Sequence, residues 1–327
     1  MSDASDKKPT LPEGNGAHGL KSGSNLEKVL AAGHFAVTAE CGPPRGADPE
    51  EVRKKSVHLK GNVDACNVTD NQTSVVRMSS VAGCVLLKEQ GIEPLMQMVV
   101  RDRNRIALQS DLLGASALGI RNLLCLSGDH QTFGDDPEAK NVHDIDSIQL
   151  IDLVRRLRDE GTFPSGKKLK GNPKIFIGCA SNPFADPYSI RVPRLALKVA
   201  AGADFIQTQC IFNLDKFKQF MEDVRKRGLH EKTRILAGVT PIKSAGMARF
   251  MAKNVAGMDI PKAVIDRVAA APKEKQPDVG VEMCVEMIQQ IKEIEGVAGV
   301  HVMAIEWESK VPEIVKRAGL LPRPEVL

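Results

Sequence analysis

Short apolar runs ending in polar residues alternate along the chain with longer stretches of helical period. The runs are AVTAEC (36–41), VDACNVTD (63–70), PLMQMVV (94–100), NLLCLSG (122–128), KIFIGCAS (174–181), FIQTQ (205–209), RILAGVT (234–240) and GVHVMAI (299–305). Between them the period predicts helices near 49–60, 74–90, 104–119, 145–160, 187–202, 213–227, 243–254 with 278–295, and 308–318. The runs are near-continuously apolar, as expected of parallel strands buried on both faces. Eight strand–helix units is the number that closes a parallel barrel. The rival is a doubly wound open sheet, which calls for G-x-G-x-x-G after the first strand; ECGPPRG stands there instead. The pattern therefore predicts an α/β fold, a (βα)8 TIM barrel over residues 24–327. Residues 1–23, rich in Gly, Ser, Lys and Asp and without apolar period, read as a flexible N-terminal arm.

Composition narrows the class. Across 327 residues, 45 Lys and Arg against 41 Asp and Glu leave a charge of +4, mixed along the chain, which argues against nucleic acid as a partner. Aromatic residues make up only 4%, so the core is expected to be aliphatic. No run approaches the roughly 20 apolar residues of a membrane span. The polar first residues lack the apolar middle of a signal peptide, so a cytoplasmic location is expected. The seven cysteines (41, 66, 84, 125, 179, 210 and 284) show no C-x-x-C spacing. They read as reduced, buried thiols, and no metal site is expected from them.

Barrel geometry places chemistry at the C-terminal ends of the strands and in the loops beyond. Here those ends carry Glu40, Thr69 and Asp70, Gln97 to Asp102, Gly128 and Asp129, Asn182, Gln209, Thr240 and Glu306, a ring of carboxylates and amides. No Ser-His-Asp order is evident, and no lysine lies inside a strand run beyond its first residue to serve as a Schiff-base nucleophile. Such a ring suits proton donation and heterocycle recognition, with a cofactor supplying the harder chemistry.

The ordered set AECGPPRG (39–46), NVTDNQ (67–72), RDRNR (101–105), LSGD (126–129), NPFADP (182–187) and AGADFIQTQ (201–209) resembles the methylenetetrahydrofolate reductase family, over roughly residues 24–322. The resemblance implies a barrel carrying FAD that reduces 5,10-methylenetetrahydrofolate to 5-methyltetrahydrofolate by hydride transfer from flavin N5. It makes Glu40 the general acid that opens the methylene bridge. That role needs a carboxyl still protonated near neutrality, which an apolar strand end favours. Asp129 matches a catalytic aspartate near flavin and pterin, and Gln209 a substrate-binding glutamine; Gln207 is read as pointing the other way along the strand. The implied flavin contacts are Thr69, Gln97, Ser127, Gly128, Asp129, His143, Asp144, Asn182, Asp186 and Lys198. Lys198 is the natural phosphate partner, with Arg101, Arg103 and Arg105 either facing the pyrophosphate or lying in a solvated loop.

Three positions depart from the family pattern. Gln97 stands where relatives commonly carry a histidine, residues 241–245 lack an aromatic, and Ile305-Glu306-Trp307 replaces an Asn-Arg pair. Trp307 then offers a stacking surface for substrate in partial compensation, or else packs a loop against a helix. These changes weaken direct nicotinamide oxidation more than folate reduction. The chain looks closest to a branch of anaerobic and acetogenic bacteria that works with an iron–sulfur and zinc partner subunit. Electrons then come either from NAD(P)H or from a partner iron–sulfur centre, and a homo- or hetero-oligomer is open. The alternatives are a flavin-carrying subunit of a larger electron-transfer complex and, more weakly, a flavin-free barrel lyase or aldolase.

Overall fold

All eight apolar runs form strands, and they pair in parallel in sequence order to close a barrel in the computed structural model, which describes residues 19–255 and 257–326. The strands are β1 (Ala36–Cys41), β2 (Ala65–Val68), β3 (Pro94–Val99), β4 (Asn122–Leu126), β5 (Phe176–Ser181), β6 (Phe205–Cys210), β7 (Arg234–Val239) and β8 (Val297–Val302). Closure is made where β1 meets β8, with Ala36 beside Gly299 and Thr38 beside His301. The helices are α1 (Asn25–Ala31), α2 (Glu50–Leu59), α3 (Ser80–Glu89), α4 (Arg105–Ala117), α5 (Ser147–Arg155), α6 (Arg191–Ala201), α7 (Leu214–Lys226), α8 (Leu229–Lys232), α9 (Ala245–Asn254), α10 (Lys262–Ala269), α11 (Gln276–Lys292) and α12 (Val311–Arg317). Among the described residues no helix is long and apolar enough to cross a membrane.

Every second strand residue points inward, so the strands sort their side chains into two cores. Outward residues such as Val37, Val68, Met96 and Ile206 pack with the surrounding helices into one aliphatic layer. Inward residues change character along the barrel axis. At the N-terminal end Ala36, Ala65, Leu95, Phe176, Phe205 and Leu236 fill the lumen with Leu26, Val29 and Leu30 of α1, which closes that end. Phe176 and Phe205 stack at 5.1 Å. Gly178 makes room for them, since a Cβ there would lie 2.1 Å from the Phe205 ring. One layer further on, the buried inward residues are Thr38, Asn67, Gln207 and His301, and beyond them stand Glu40, Gln97 and Gln209. The lumen thus runs from dry to polar toward the C-terminal mouth.

Several boundaries differ from the sequence expectations for identifiable reasons. The stretch 63–70 yields only Ala65–Val68, because Asp70 leaves the ladder to accept from the Val99 N–H at 2.9 Å and to bind Arg103. The helix expected from residue 74 starts at Ser80; Asn71, Thr73 and Ser74 adopt positive φ and hold a loop instead. The last strand begins at Val297 and ends at Val302, earlier than the run 299–305. Helix α5 opens with an Asp146–Gln149 capping box and ends in a π turn over Arg156–Glu160. The short helices α1, α8 and α10 carry too little period to be seen in the sequence. Of the expected arm, residues 1–18 lie outside the described residues. Ser22, by contrast, is buried, and Glu27 accepts from the N–H groups of Lys21, Ser22 and Gly23, so this part is anchored to the barrel floor.

Candidate active site

The polar mouth opens into a cavity of about 390 Å³ at the C-terminal ends of the strands. That is within the usual range for a cofactor or substrate site. Its wall takes Glu40 from β1, Gln97 from β3, Leu126 and Ser127 from the end of β4, Asn182 after β5, Gln207 and Gln209 from β6, and His301 from β8. Helix α6 adds Arg191, Arg194 and Lys198. Barrel strands place their inward residues at the mouth by alternation, so this convergence follows from register rather than from loop conformation.

Glu40 is the central carboxyl, its side chain only 12% exposed. The Gln97 amide donates to its Oε1 at 3.4 Å, and His301 Nε2 approaches the same oxygen at 3.5 Å. Behind it runs a buried chain of polar groups. Asn67 Nδ2 donates to Gln207 Oε1 at 2.7 Å, and Gln207 Nε2 lies 3.1 Å from both Asn67 Oδ1 and Thr38 Oγ1. Thr38 Oγ1 in turn lies 2.9 Å from His301 Nδ1.

The cations occupy one face of α6, since residues 191, 194 and 198 recur at helical spacing. Lys198 donates to the Ala180 carbonyl at 2.6 Å, and Arg191 to the Asp186 and Pro187 carbonyls. These are neutral backbone acceptors, and among the described residues no carboxylate pairs with Arg191, Arg194 or Lys198, so that edge keeps its positive charge. On β4, burial pushes the Cys125 thiol well above its usual 9.0. All seven cysteines are buried and free.

Six of the residues singled out in the sequence stand on the wall: Glu40, Gln97, Ser127, Asn182, Lys198 and Gln209. Ser127 Oγ reaches Ser147 Oγ at 3.1 Å, and Asn182 Oδ1 accepts from the Phe184 N–H, shaping the turn after β5. The others lie off it. The Asp129 carboxylate accepts from the Thr73 N–H at 3.1 Å in the loop beyond β4. Gly128, at φ 86°, is needed for packing, because a Cβ would come within 3.1 Å of Arg101 and Val99. Thr69 is buried with its hydroxyl unpartnered. His143, Asp144 and Asp186 lie outside the cavity lining, and Asp144 forms a two-pronged ion pair with Arg105 that holds its carboxyl well below the usual range. Trp307, off the cavity lining, has the Lys243 and Lys310 ammoniums 5.6 and 5.8 Å from its ring centre and packs against the aliphatic layer. Nor are the three arginines of RDRNR free for an anion. Arg101 is paired with Asp102, Arg103 with Asp70 and Asp111, and Arg105 with Asp144.

The sequence reading of Gln207 requires correction. Gln207 and Gln209 are two apart on one strand, so they face the same way, and both line the cavity. Also missed were His301, Asn67, Thr38, Arg191 and Arg194. The available signal was a polar residue at every second place within an otherwise apolar strand, and a basic residue at helical spacing before Lys198.

Comparison with known proteins bears on what this mouth is for. The family model described as methylenetetrahydrofolate reductase matches residues 25–319. A probable methylenetetrahydrofolate reductase (NADPH) of Caenorhabditis elegans is 27% identical over 76% of this chain and 36% of its own length. Methylenetetrahydrofolate reductase 2 of Schizosaccharomyces pombe is 28% identical over 76% of this chain and 39% of its own. The match thus spans well under half the length of these relatives. Among solved structures, an uncharacterized protein from Clostridium thermocellum that binds two copies of 5-methyl-5,6,7,8-tetrahydrofolic acid shares the fold, with TM-score 0.60 and 14% identity over 91% of this chain and 99% of its own. With its barrel matched by the family model from residue 25 to residue 319, the chain belongs to the methylenetetrahydrofolate reductase family.

Proposed function

We propose that the chain reduces 5,10-methylenetetrahydrofolate to 5-methyltetrahydrofolate, with FAD held in the cavity at the barrel mouth. The observation that carries the reading is the placement of a largely buried carboxyl, Glu40, in one cavity with paired amides and an uncancelled cationic edge. The donor set suits the cofactor: Arg191, Arg194 and Lys198 match a diphosphate. Leu126 and the Gln97 amide offer a flat heterocycle an apolar face and a hydrogen-bonding partner. When bound, the flavin supplies the hydride.

The chain's own residues prepare the acceptor. Glu40 gives its proton to the bridge nitrogen as the bond from that nitrogen to the methylene carbon breaks. The bond's electron pair goes to the nitrogen and leaves an electrophilic iminium on the other. Gln209 reads the pterin edge with one donor and one acceptor. Enclosure by the barrel wall keeps bulk water from the iminium. Relatives named for NADPH and NADH favour a nicotinamide as electron source over a partner iron–sulfur centre.

The test is a paired measurement on Glu40→Gln and the unaltered chain, each loaded with FAD. The variant is expected to take up flavin and to slow folate reduction by roughly 10²-fold or more, the usual scale for a lost general acid. Protein that takes up no flavin, or a variant that reduces folate at the parental rate, overturns the reading. If the isolated chain is reduced by neither NADH nor NADPH, the electrons come from a partner.

A further inference from the structure

We propose that His301 is the positioning residue for Glu40: through a tautomer fixed by the Thr38–Gln207–Asn67 network, it selects which carboxyl oxygen carries the catalytic proton. The inference rests on Glu40 acting as the general acid.

Donor counting sets the direction of each bond in the network. Gln207 Nε2 has two hydrogens, and one goes to Asn67 Oδ1, which can only accept. The other points at the Thr38 hydroxyl, 3.1 Å away, with His301 Nδ1 at 3.3 Å. A hydrogen on Nδ1 would face that N–H donor directly. An unprotonated Nδ1 instead accepts from the Thr38 hydroxyl at 2.9 Å, a better partner for it than the Val300 carbonyl at 3.4 Å. The ring hydrogen is therefore on Nε2, the nitrogen that faces Glu40.

Both donors on Glu40, His301 Nε2–H and Gln97 Nε2–H, approach the same atom, Oε1. In a neutral carboxyl the carbonyl oxygen is the stronger acceptor. Two donors on Oε1 make it the carbonyl and leave the proton on Oε2. As that proton passes to the bridge nitrogen and the carboxyl becomes an anion, the Gln97 hydrogen bond strengthens and the Nε2–H of His301, 3.5 Å away, closes onto the same oxygen. The grip is thus tighter after transfer than before it, which lowers the barrier. Contacts of 3.4–3.5 Å fit such a site before substrate arrives, since catalytic hydrogen bonds often close only in the complex.

The experiment has two arms. In the cofactor-free protein with isotope-labelled histidine, ring-nitrogen shifts are expected to show the Nε2–H tautomer for His301, and the Nδ1–H tautomer overturns the proposal. In the FAD-loaded protein, His301→Leu is expected to slow the folate half-reaction roughly tenfold to a hundredfold more than flavin reduction, the scale of one hydrogen bond to a charged group. His301→Gln, which returns an N–H near the Nε2 position, is expected to recover most of that loss. Thr38→Val, nearly isosteric, tests the same link without emptying the His301 site and is expected to slow the folate step alone. Equal losses in both half-reactions, or no recovery in His301→Gln, overturn the positioning role. If Glu40→Gln is still slow in that case, the general acid survives; an unimpaired Glu40→Gln removes both.

Discussion

Lys198 sits on the cationic edge with its ammonium on the Ala180 carbonyl, an acceptor that neutralises none of its charge. Lys198→Met keeps the aliphatic stem and removes only the charge. It is expected to weaken FAD binding roughly tenfold or more, with the gap narrowing as salt is added, because a partly exposed charge is screened. Quenching of flavin fluorescence on titration measures both. Asp186→Asn, exposed beyond the wall, is expected to leave that titration within about twofold, the range of a surface change away from the ligand; equal effects in the two variants would place the diphosphate elsewhere. The contrast between these residues shows what a sequence can disclose. Glu40, Gln97 and Lys198 are readable because strand ends and a helix face are fixed by period. Asp129, Asp144 and Asp186 belong to loops, whose direction depends on which partner each carboxylate finds. Thr73, Arg105 and the turn after β5 are not adjacent in sequence, so no local pattern announces the choice. His301 was hidden for another reason: one imidazole among valines reads as part of an apolar run, although its alternation with Val300 and Val302 turns it inward.

At the scale of elements, strands were legible almost to the residue where the ladder itself ends them, as in β1. They were misjudged where a side chain ends them, as Asp70 ends β2. Helix α1 was missed because its seven residues are held mainly by what they touch. One of those contacts is Glu93, just before β3, whose carboxylate accepts from the Asn25 and Leu26 N–H groups at 2.6 and 3.0 Å and from the Asn122 amide. Burial raises the Glu93 carboxyl above its ordinary 4.5, only partly offset by those bonds. The folded chain therefore holds this proton more readily than the unfolded chain. Glu93 favours folding increasingly as pH falls through its folded value toward 4.5, and this contribution is lost as pH rises. Urea unfolding of the parent and of Glu93→Gln is expected to show the parent gaining on the variant between neutral pH and pH 4.5. A gap that stays constant would mean that α1 is seated without help from this titration.

For the whole molecule the decisive event is closure, because Glu40 and His301 come from β1 and β8, the first and last strands, which pair with each other. The acid and its partner meet only where the two ends of the sheet do. Gly299 guards that seam: a Cβ there would stand 2.4 Å from the Ala36 carbonyl oxygen. Gly299→Ala is expected to cost about 1–3 kcal/mol, the usual range for overpacking, read as a lower urea midpoint. It should also slow the folate step, since the wedge separates strands two residues from His301. Gly178→Ala supplies the comparison. Its Cβ would be crowded just as severely, 2.1 Å from the Phe205 ring, but on β5, across the barrel from the seam. Where both variants are fully folded, folate reduction in Gly299→Ala should fall well below that in Gly178→Ala, although the two lose similar stability. Equal activities would mean that the barrel spreads the strain around its circumference, so that closure sets stability but not the separation of the carboxyl and imidazole.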